Sequence, residues 1–241
     1  MKAMIFAAGL GSRLKPWTDH HPKALAVVNG KSLLQRNILY LQQYGITEVI
    51  VNVHHFAGQV IAAVENAQGW GSRITFSDET AEVLETGGGL QKAAWYFEGE
   101  SSFVVMNADI LTDMDLGAMI STHNTGNAMA TLAVSDRSSS RYFLFNEAQE
   151  LKGWQNVKTG EQRPEGILEQ QPALKPKAFS GIHVISTAIF PQIKQQGKFS
   201  MVDVYLSLMN AYPIRSFDHT GALLIDVGKP ESLEKAEQLF Q

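Results

Sequence analysis

Residues 7–23 read AAGLGSRLKPWTDHHPK and follow directly on the apolar run Met4-Ile5-Phe6. An apolar strand that gives way to glycine-rich backbone is the opening of a βα unit, with its loop at the carboxyl end of the strand. Gly9 and Gly11 can take backbone angles closed to other residues, and they put no side chain between main chain and ligand. Successive N–H groups in such a loop form a concavity for phosphate oxygens. Arg13 adds a forked guanidinium suited to two-point phosphate contact, and Lys23 a compact mobile charge. The first 31 residues hold five of the chain's 20 Lys and Arg but one of its 24 Asp and Glu. A positive segment on a chain of net charge −4 marks a focused anion site.

The same strand-then-helix pattern continues outward. Segments 2–7, 48–53, 73–77, 102–107 and 128–134 read as short apolar strands, and 33–44, 57–67, 90–97 and 115–124 carry helical spacing. The rhythm predicts an α/β fold with helices on both faces of a mostly parallel sheet. Past about residue 140 it changes: 142–145 with 151–153 suggests a hairpin, and 154–177 reads as an excursion over the site, rich in Lys, Glu, Gln and Pro. A strand at 178–186, a helix at 203–211, strands at 214–218 and 222–227 and a helix opened by Pro230 complete the expectation.

Two common glycine motifs fail here. A dinucleotide fingerprint needs glycine where Leu14 stands, and a P-loop ending at Gly30-Lys31-Ser32 needs glycine where Leu25 stands. Ser32-Leu-Leu-Gln35 is better read as a capping box before a helix. Composition narrows the class further. At 241 residues and 44% hydrophobic content the chain can bury a substantial core. It has no cysteine, so disulfides and thiolate metal sites are excluded. No apolar run approaches the roughly 20 residues of a membrane span, and the amino terminus enters a strand without a leader's apolar core. The expectation is a cytoplasmic protein with no membrane partner. The net negative charge argues against nucleic acid as a partner.

Five ordered motifs carry a resemblance. Gly9-Leu-Gly11-Ser-Arg13 with Pro16, Pro22-Lys23 and Val27-Val28 resembles the signature of the sugar-1-phosphate nucleotidyltransferases. Glu85-Thr86-Gly87-Gly88-Gly89, Asn107-Ala108-Asp109, Phe179-Ser180-Gly181 and Asp226-Val227-Gly228 resemble that family's base-side loop, first metal carboxylate, sugar-side strand and second metal carboxylate. The ETGGG form and the lack of a C-terminal extension are most similar to the short N-acetylmuramate 1-phosphate uridylyltransferases. The resemblance implies a Rossmann-like three-layer α/β/α sandwich with a mostly parallel mixed sheet, the nucleotide-diphospho-sugar transferase fold. It implies one domain over residues 1–241, with a nucleotide-binding half of about 1–135 and a sugar-binding half of about 136–241.

The implied reaction joins a nucleoside triphosphate, by expectation UTP, to a sugar 1-phosphate, with pyrophosphate leaving. By the resemblance Arg13 and Lys23 carry the catalytic charge, Arg13 on the β- and γ-phosphates and Lys23 near the α-phosphate. Ala8, Gly9, Gly11, Ser12, Gly87 and Gly88 line the nucleotide, while Asn107, Glu169 and Gly181 face the sugar. Asp109 and Asp226, each at the end of an apolar run, would hold Mg²⁺, a hard ion satisfied by a few carboxylates with water and phosphate. The chain departs from the pattern at Ala108 and Leu224, and at Glu169-Gln170-Gln171-Pro172, where relatives carry a Glu-Lys-Pro lysine for the sugar phosphate. Lys175 and Lys177 are the substitutes at hand.

Guanylyl and thymidylyl transfer share these motifs, so the base stays open, as does the oligomeric state. A Rossmann oxidoreductase leaves Arg13 without a task. A catalytically silent relative would lack one of Arg13, Lys23, Asp109 or Asp226. His54-His55 and His20-His21 read as loop residues, Met106 and Met201 as core, and Trp154 as a residue able to stack on a sugar ring.

Overall fold

The four residues of β1 (Ala3–Phe6) are all buried, and they alternate between two cores. Met4 and Phe6 join one cluster, Ala3 and Ile5 the other. This period of two is what a central strand covered on both faces requires. The computed structural model describes residues 1–240. In it β1 pairs in parallel with β4 (Glu48–Val53) and β6 (Ser102–Asn107), and β4 pairs in parallel with β5 (Arg73–Asp78). Beyond β6 lies a reversed strand, β12 (Lys175–Ser186), antiparallel to both β6 and β8 (Ala130–Ser135). The outermost strand, β13 (Ile214–Asp218), is parallel to β8. The central order is therefore β5-β4-β1-β6-β12-β8-β13, mixed and mostly parallel.

Helices cover both faces. The core beneath Ala3 and Ile5 takes Leu34, Ile38 and Leu41 of α1 (Leu33–Gln43), Val60 and Val64 of α2 (Ala57–Asn66) and Met119 of α4 (Leu116–Thr125). The opposite core takes Leu90 of α3 (Glu85–Lys92) with Val204 and Tyr205 of α6 (Met201–Leu208). Met106 and Met201 lie in these cores. Ser32 caps α1 by accepting from the Gln35 N–H at 3.1 Å. The three-layer sandwich expected from the sequence is present.

Three local expectations change. The helix placed at 90–97 begins earlier, at Glu85, and ends in a separate 3₁₀ turn at Ala94–Phe97. The segment 154–177 is no open excursion: β10 (Leu151–Asn156) pairs with β9 (Arg141–Phe145) and with β11 (Glu161–Arg163), and α5 (Ile167–Gln170) follows. Two small pairings went unread, β2 (Val27–Val28) with β3 (Lys31–Ser32) and β7 (Ile110–Thr112) with β14 (Leu224–Asp226). The last helix, α7 (Pro230–Leu239), packs with them around Val28, Leu111, Ile225 and Val227.

Candidate active site

The loop after β1 turns at Gly11, whose φ of 63° lies in the left-handed region. A β-carbon there would come within 2.9 Å of Lys23 Cβ, so glycine serves both the turn and the close approach of Lys23. Leu14 N–H and Thr18 Oγ1 both donate to the Gly11 carbonyl, at 2.8 and 3.0 Å. Buried Leu14 and Thr18 anchor the turn and leave Ser12 and Arg13 facing solvent. The loop borders a cleft of about 280 Å³ with Gly9, Gly11, Ser12, Arg13, Lys23, Asn107 and Asp109 on its walls. It opens at the carboxyl ends of β1 and β6, where an α/β sheet binds its ligands.

The two aspartates, far apart in sequence, meet through the β7–β14 pair. Asp226 stands opposite Ile110, next to Asp109, and the Val227 N–H donates to the Asp109 carbonyl at 2.8 Å. Thr112 Oγ1 and Leu223 N–H close the other end, donating to the Leu223 carbonyl and Asp113 carboxylate, each at 2.7 Å. Asn37, buried on α1, donates to the Ala108 carbonyl at 2.9 Å and steadies the turn that presents Asp109. Lys23 Nζ donates to Asp109 Oδ2, and Arg13 Nη2 lies 3.9 Å from Asp226 Oδ2.

Burial and the neighbouring Asp109 carboxylate push the Asp226 carboxyl above its usual range, against the pull of Lys23 and Arg13. Two crowded carboxylates beside two cations could hold a dication together with phosphates. Among the described residues no group of three or more His, Asp or Glu converges as a closed cage. Two hard oxygen donors fit an ion that draws the rest of its shell from substrate phosphate and water.

Residues 2–241 match the nucleotidyl transferase family. The chain belongs to that family. An N-acetylmuramate alpha-1-phosphate uridylyltransferase of Neisseria meningitidis is 30% identical, covering 99% of this chain and 98% of that protein. A D-glycero-alpha-D-manno-heptose 1-phosphate guanylyltransferase of Aneurinibacillus thermoaerophilus is 27% identical, covering 100% and 99%. Among solved structures, HddC from Yersinia pseudotuberculosis complexed with GMP-PN superposes with a TM-score of 0.78 at 24% identity, over 100% of this chain and 99% of that one. The chain is an enzyme of the sugar-1-phosphate nucleotidyltransferase class. Among the described residues no helix is long and apolar enough to cross a membrane.

The nucleotidyltransferase has a second, more apolar hollow beside the first, lined by Phe6, Ala8, Gly9, Val83, Glu85 and Thr86 with Asn52 and Glu79. Gly87 and Gly88 do not reach either hollow. They lie inside α3, and their N–H groups donate to the Phe199 carbonyl at 2.9 and 3.2 Å. A β-carbon on Gly87 would strike the Phe199 ring, and one on Gly88 would strike the Gly197 carbonyl. These glycines make room for the 197–199 loop, and Thr86 is the residue of the motif that faces the cleft.

Asn52 and Glu79 escaped the sequence reading. Asn52 accepts from Ala7 N–H at 2.7 Å and donates to Glu79 at 2.8 Å, and Glu79 accepts from Leu84 N–H at 3.2 Å. This buried chain ties the signature loop to the start of α3. Its one sequence signal is a lone polar residue inside the apolar run 49–53.

On the sugar side Gly181, with φ of 75°, packs so closely that a β-carbon would lie 2.9 Å from the Asn107 amide. Glu169 sits exposed on α5, away from the walls of the cleft. Lys177 donates to Asp136 and Asp218 at 2.7 and 2.5 Å, and Lys175 is exposed where β12 pairs with β9. Neither lysine lines the cleft. Trp154 is buried with Arg163 5.7 Å above its ring, so it has no face for a sugar. His54 Nδ1 bonds the Glu79 carbonyl at 2.6 Å, a structural contact.

Proposed function

We propose that the enzyme transfers a uridylyl group from UTP to N-acetylmuramate 1-phosphate, with Asp109 and Asp226 as the residues that would hold Mg²⁺. The observation that carries the substrate reading is the 30% identity, over nearly the whole of both chains, to a uridylyltransferase of that sugar. The reaction forms a bond from an acceptor phosphate oxygen to the α-phosphorus and breaks the α–β bridge, releasing pyrophosphate. Both reactants are anions, so the protein's task is to offset repulsion and align the attack. Mg²⁺, when bound, adds charge neutralisation at the reacting phosphates. Arg13, exposed and loosely paired, holds the β- and γ-phosphates as charge builds on the leaving group. Lys23 keeps Asp109 in place and presents positive charge at the α-phosphate. The hollow bordered by Phe6, Ala8 and Thr86 suits a flat base. A cytoplasmic role in cell-wall nucleotide-sugar supply is part of this reading.

A panel of triphosphates against sugar 1-phosphates, read by pyrophosphate release, tests it. UTP should exceed GTP, ATP, CTP and dTTP by about tenfold or more in kcat/KM, since a site built on one base's hydrogen-bonding edge rejects others. N-acetylmuramate 1-phosphate should be the best acceptor. A preference for GTP with a mannose or heptose 1-phosphate overturns the substrate reading and leaves the family assignment intact.

A further inference from the structure

Past Asp226 the cleft continues into a second groove of about 490 Å³. Arg13 and Gly228 line both, so the two form one surface. Its charge is one-sided, with Arg13, Arg137, Lys229 and Lys235 against Asp226. Such a wall concentrates anions. Arg137 is the cation whose place is fixed toward the sugar side. Its Nη2 donates to the Phe179 carbonyl at 2.6 Å, two residues before Gly181. A guanidinium has five N–H donors, so one bond to a carbonyl leaves most of the fork for a ligand.

The neighbouring cations are engaged elsewhere. Lys177 is held by Asp136 and Asp218, Lys152 by Glu150 at 3.1 Å and Arg163 by Asp203 at 2.5 Å. Arg137 forms no ion pair among the described residues. The acceptor brings a phosphate dianion to a site whose loop cations, Arg13 and Lys23, are committed to the triphosphate. A countercharge is required on the other flank of Asp226, and Arg137 stands there.

We propose that Arg137 binds the phosphate of the sugar 1-phosphate acceptor, with Lys229 and Lys235 drawing the anion into the groove. This rests on sugar-1-phosphate transfer and not on the choice of uridine or muramate. The assay uses whichever pair the wild-type enzyme turns over fastest, so an error in base or sugar shows in the wild type alone. Arg137→Ala should raise KM for the sugar 1-phosphate about tenfold or more, the scale of one lost charged hydrogen bond. KM for the triphosphate should stay within about twofold, since its cations Arg13 and Lys23 are untouched. Arg137→Lys should recover part of the loss, because it keeps charge without the fork.

The melting temperature should be unchanged, as Arg137 is exposed. Glucose 1-phosphate and N-acetylmuramate 1-phosphate, the latter carrying an added carboxylate, should suffer by the same factor. An unchanged acceptor KM overturns the proposal. So does a loss confined to the carboxylate-bearing sugar, which would assign Arg137 to that carboxylate. A rise confined to KM for pyrophosphate in the reverse reaction would assign the groove to the leaving group and likewise overturn it.

Discussion

The two cation–carboxylate pairs of the cleft are built on opposite plans. Lys23 and Asp109 are in contact and shielded, their side chains 13% and 21% exposed. Arg13 and Asp226 are 56% and 44% exposed and 3.9 Å apart. An exposed pair at that separation adds about 0–1 kcal/mol to folding, so Arg13 can exchange its partner for phosphate at little cost. A shielded pair cannot separate so freely, because each charge would be left with neither partner nor water. One arm of the site is fixed and the other is free to move. That division suits a reaction whose attack geometry must be held while its leaving group departs.

The sharpest way to break the comparison is Lys23→Ala. It should lower kcat by roughly 10²–10³, the loss typical when a group aimed at developing charge is removed. It should also cost about 1–3 kcal/mol of stability, because Asp109 is left partly buried and unpaired. Wild-type kcat and an unmoved denaturation midpoint would erase the distinction between the pairs. Next in size, Asp109→Asn and Asp226→Asn should each reduce turnover by about 10² or more while the fold persists, and EDTA should abolish activity that Mg²⁺ restores. Full activity in EDTA would remove the metal from the site.

Arg13→Lys should have a smaller effect. Losing one arm of a charged fork costs about 1.5 kcal/mol, or roughly tenfold in kcat/KM. An Arg13→Lys enzyme equal to wild type would show that charge alone suffices there. The smallest effect concerns stability without metal. Partial desolvation in the cleft and the neighbouring Asp109 carboxylate raise the Asp226 carboxyl in the folded state; with 44% of the side chain still exposed, its ionised form is only mildly disfavoured by folding. Above the raised folded value the native protein bears that cost, and below the usual carboxylate range both states are protonated and the cost vanishes. Asp226→Asn should therefore raise the melting temperature at neutral pH in EDTA, with the gain shrinking on acidification through that window. A gain that is absent, or that grows toward acid pH, would contradict the crowding of the two carboxylates.

How far the fold and site were legible varies by segment. The strands of the first half announce themselves, because a strand covered on both faces must be a continuous apolar run. The elements within 154–177 do not, since β11 and α5 are only three and four residues long and are held by pairing with β10 and by packing rather than by a pattern of their own. Three successive glycines signal a loop. Here Gly87–Gly89 lie within α3, and Phe199, Gly197 and Glu79 occupy the space their β-carbons would need.

Residues 7–23, the apolar runs before Asp109 and Asp226, and the charge bias of the first 31 residues depend on neighbours in sequence alone. The glycine-rich, positively charged character of the opening loop and the α/β class were therefore determined by the chain itself. Which groups share a cleft depends on pairing between distant segments. The two-stranded β7–β14 sheet brings the aspartates together, the buried Asn52–Glu79 link sets the start of α3, and the Phe179 carbonyl aims Arg137. A contact between residues separated by 27, 42 or more than a hundred positions leaves no periodic trace in either segment, so only the tertiary structure decided it.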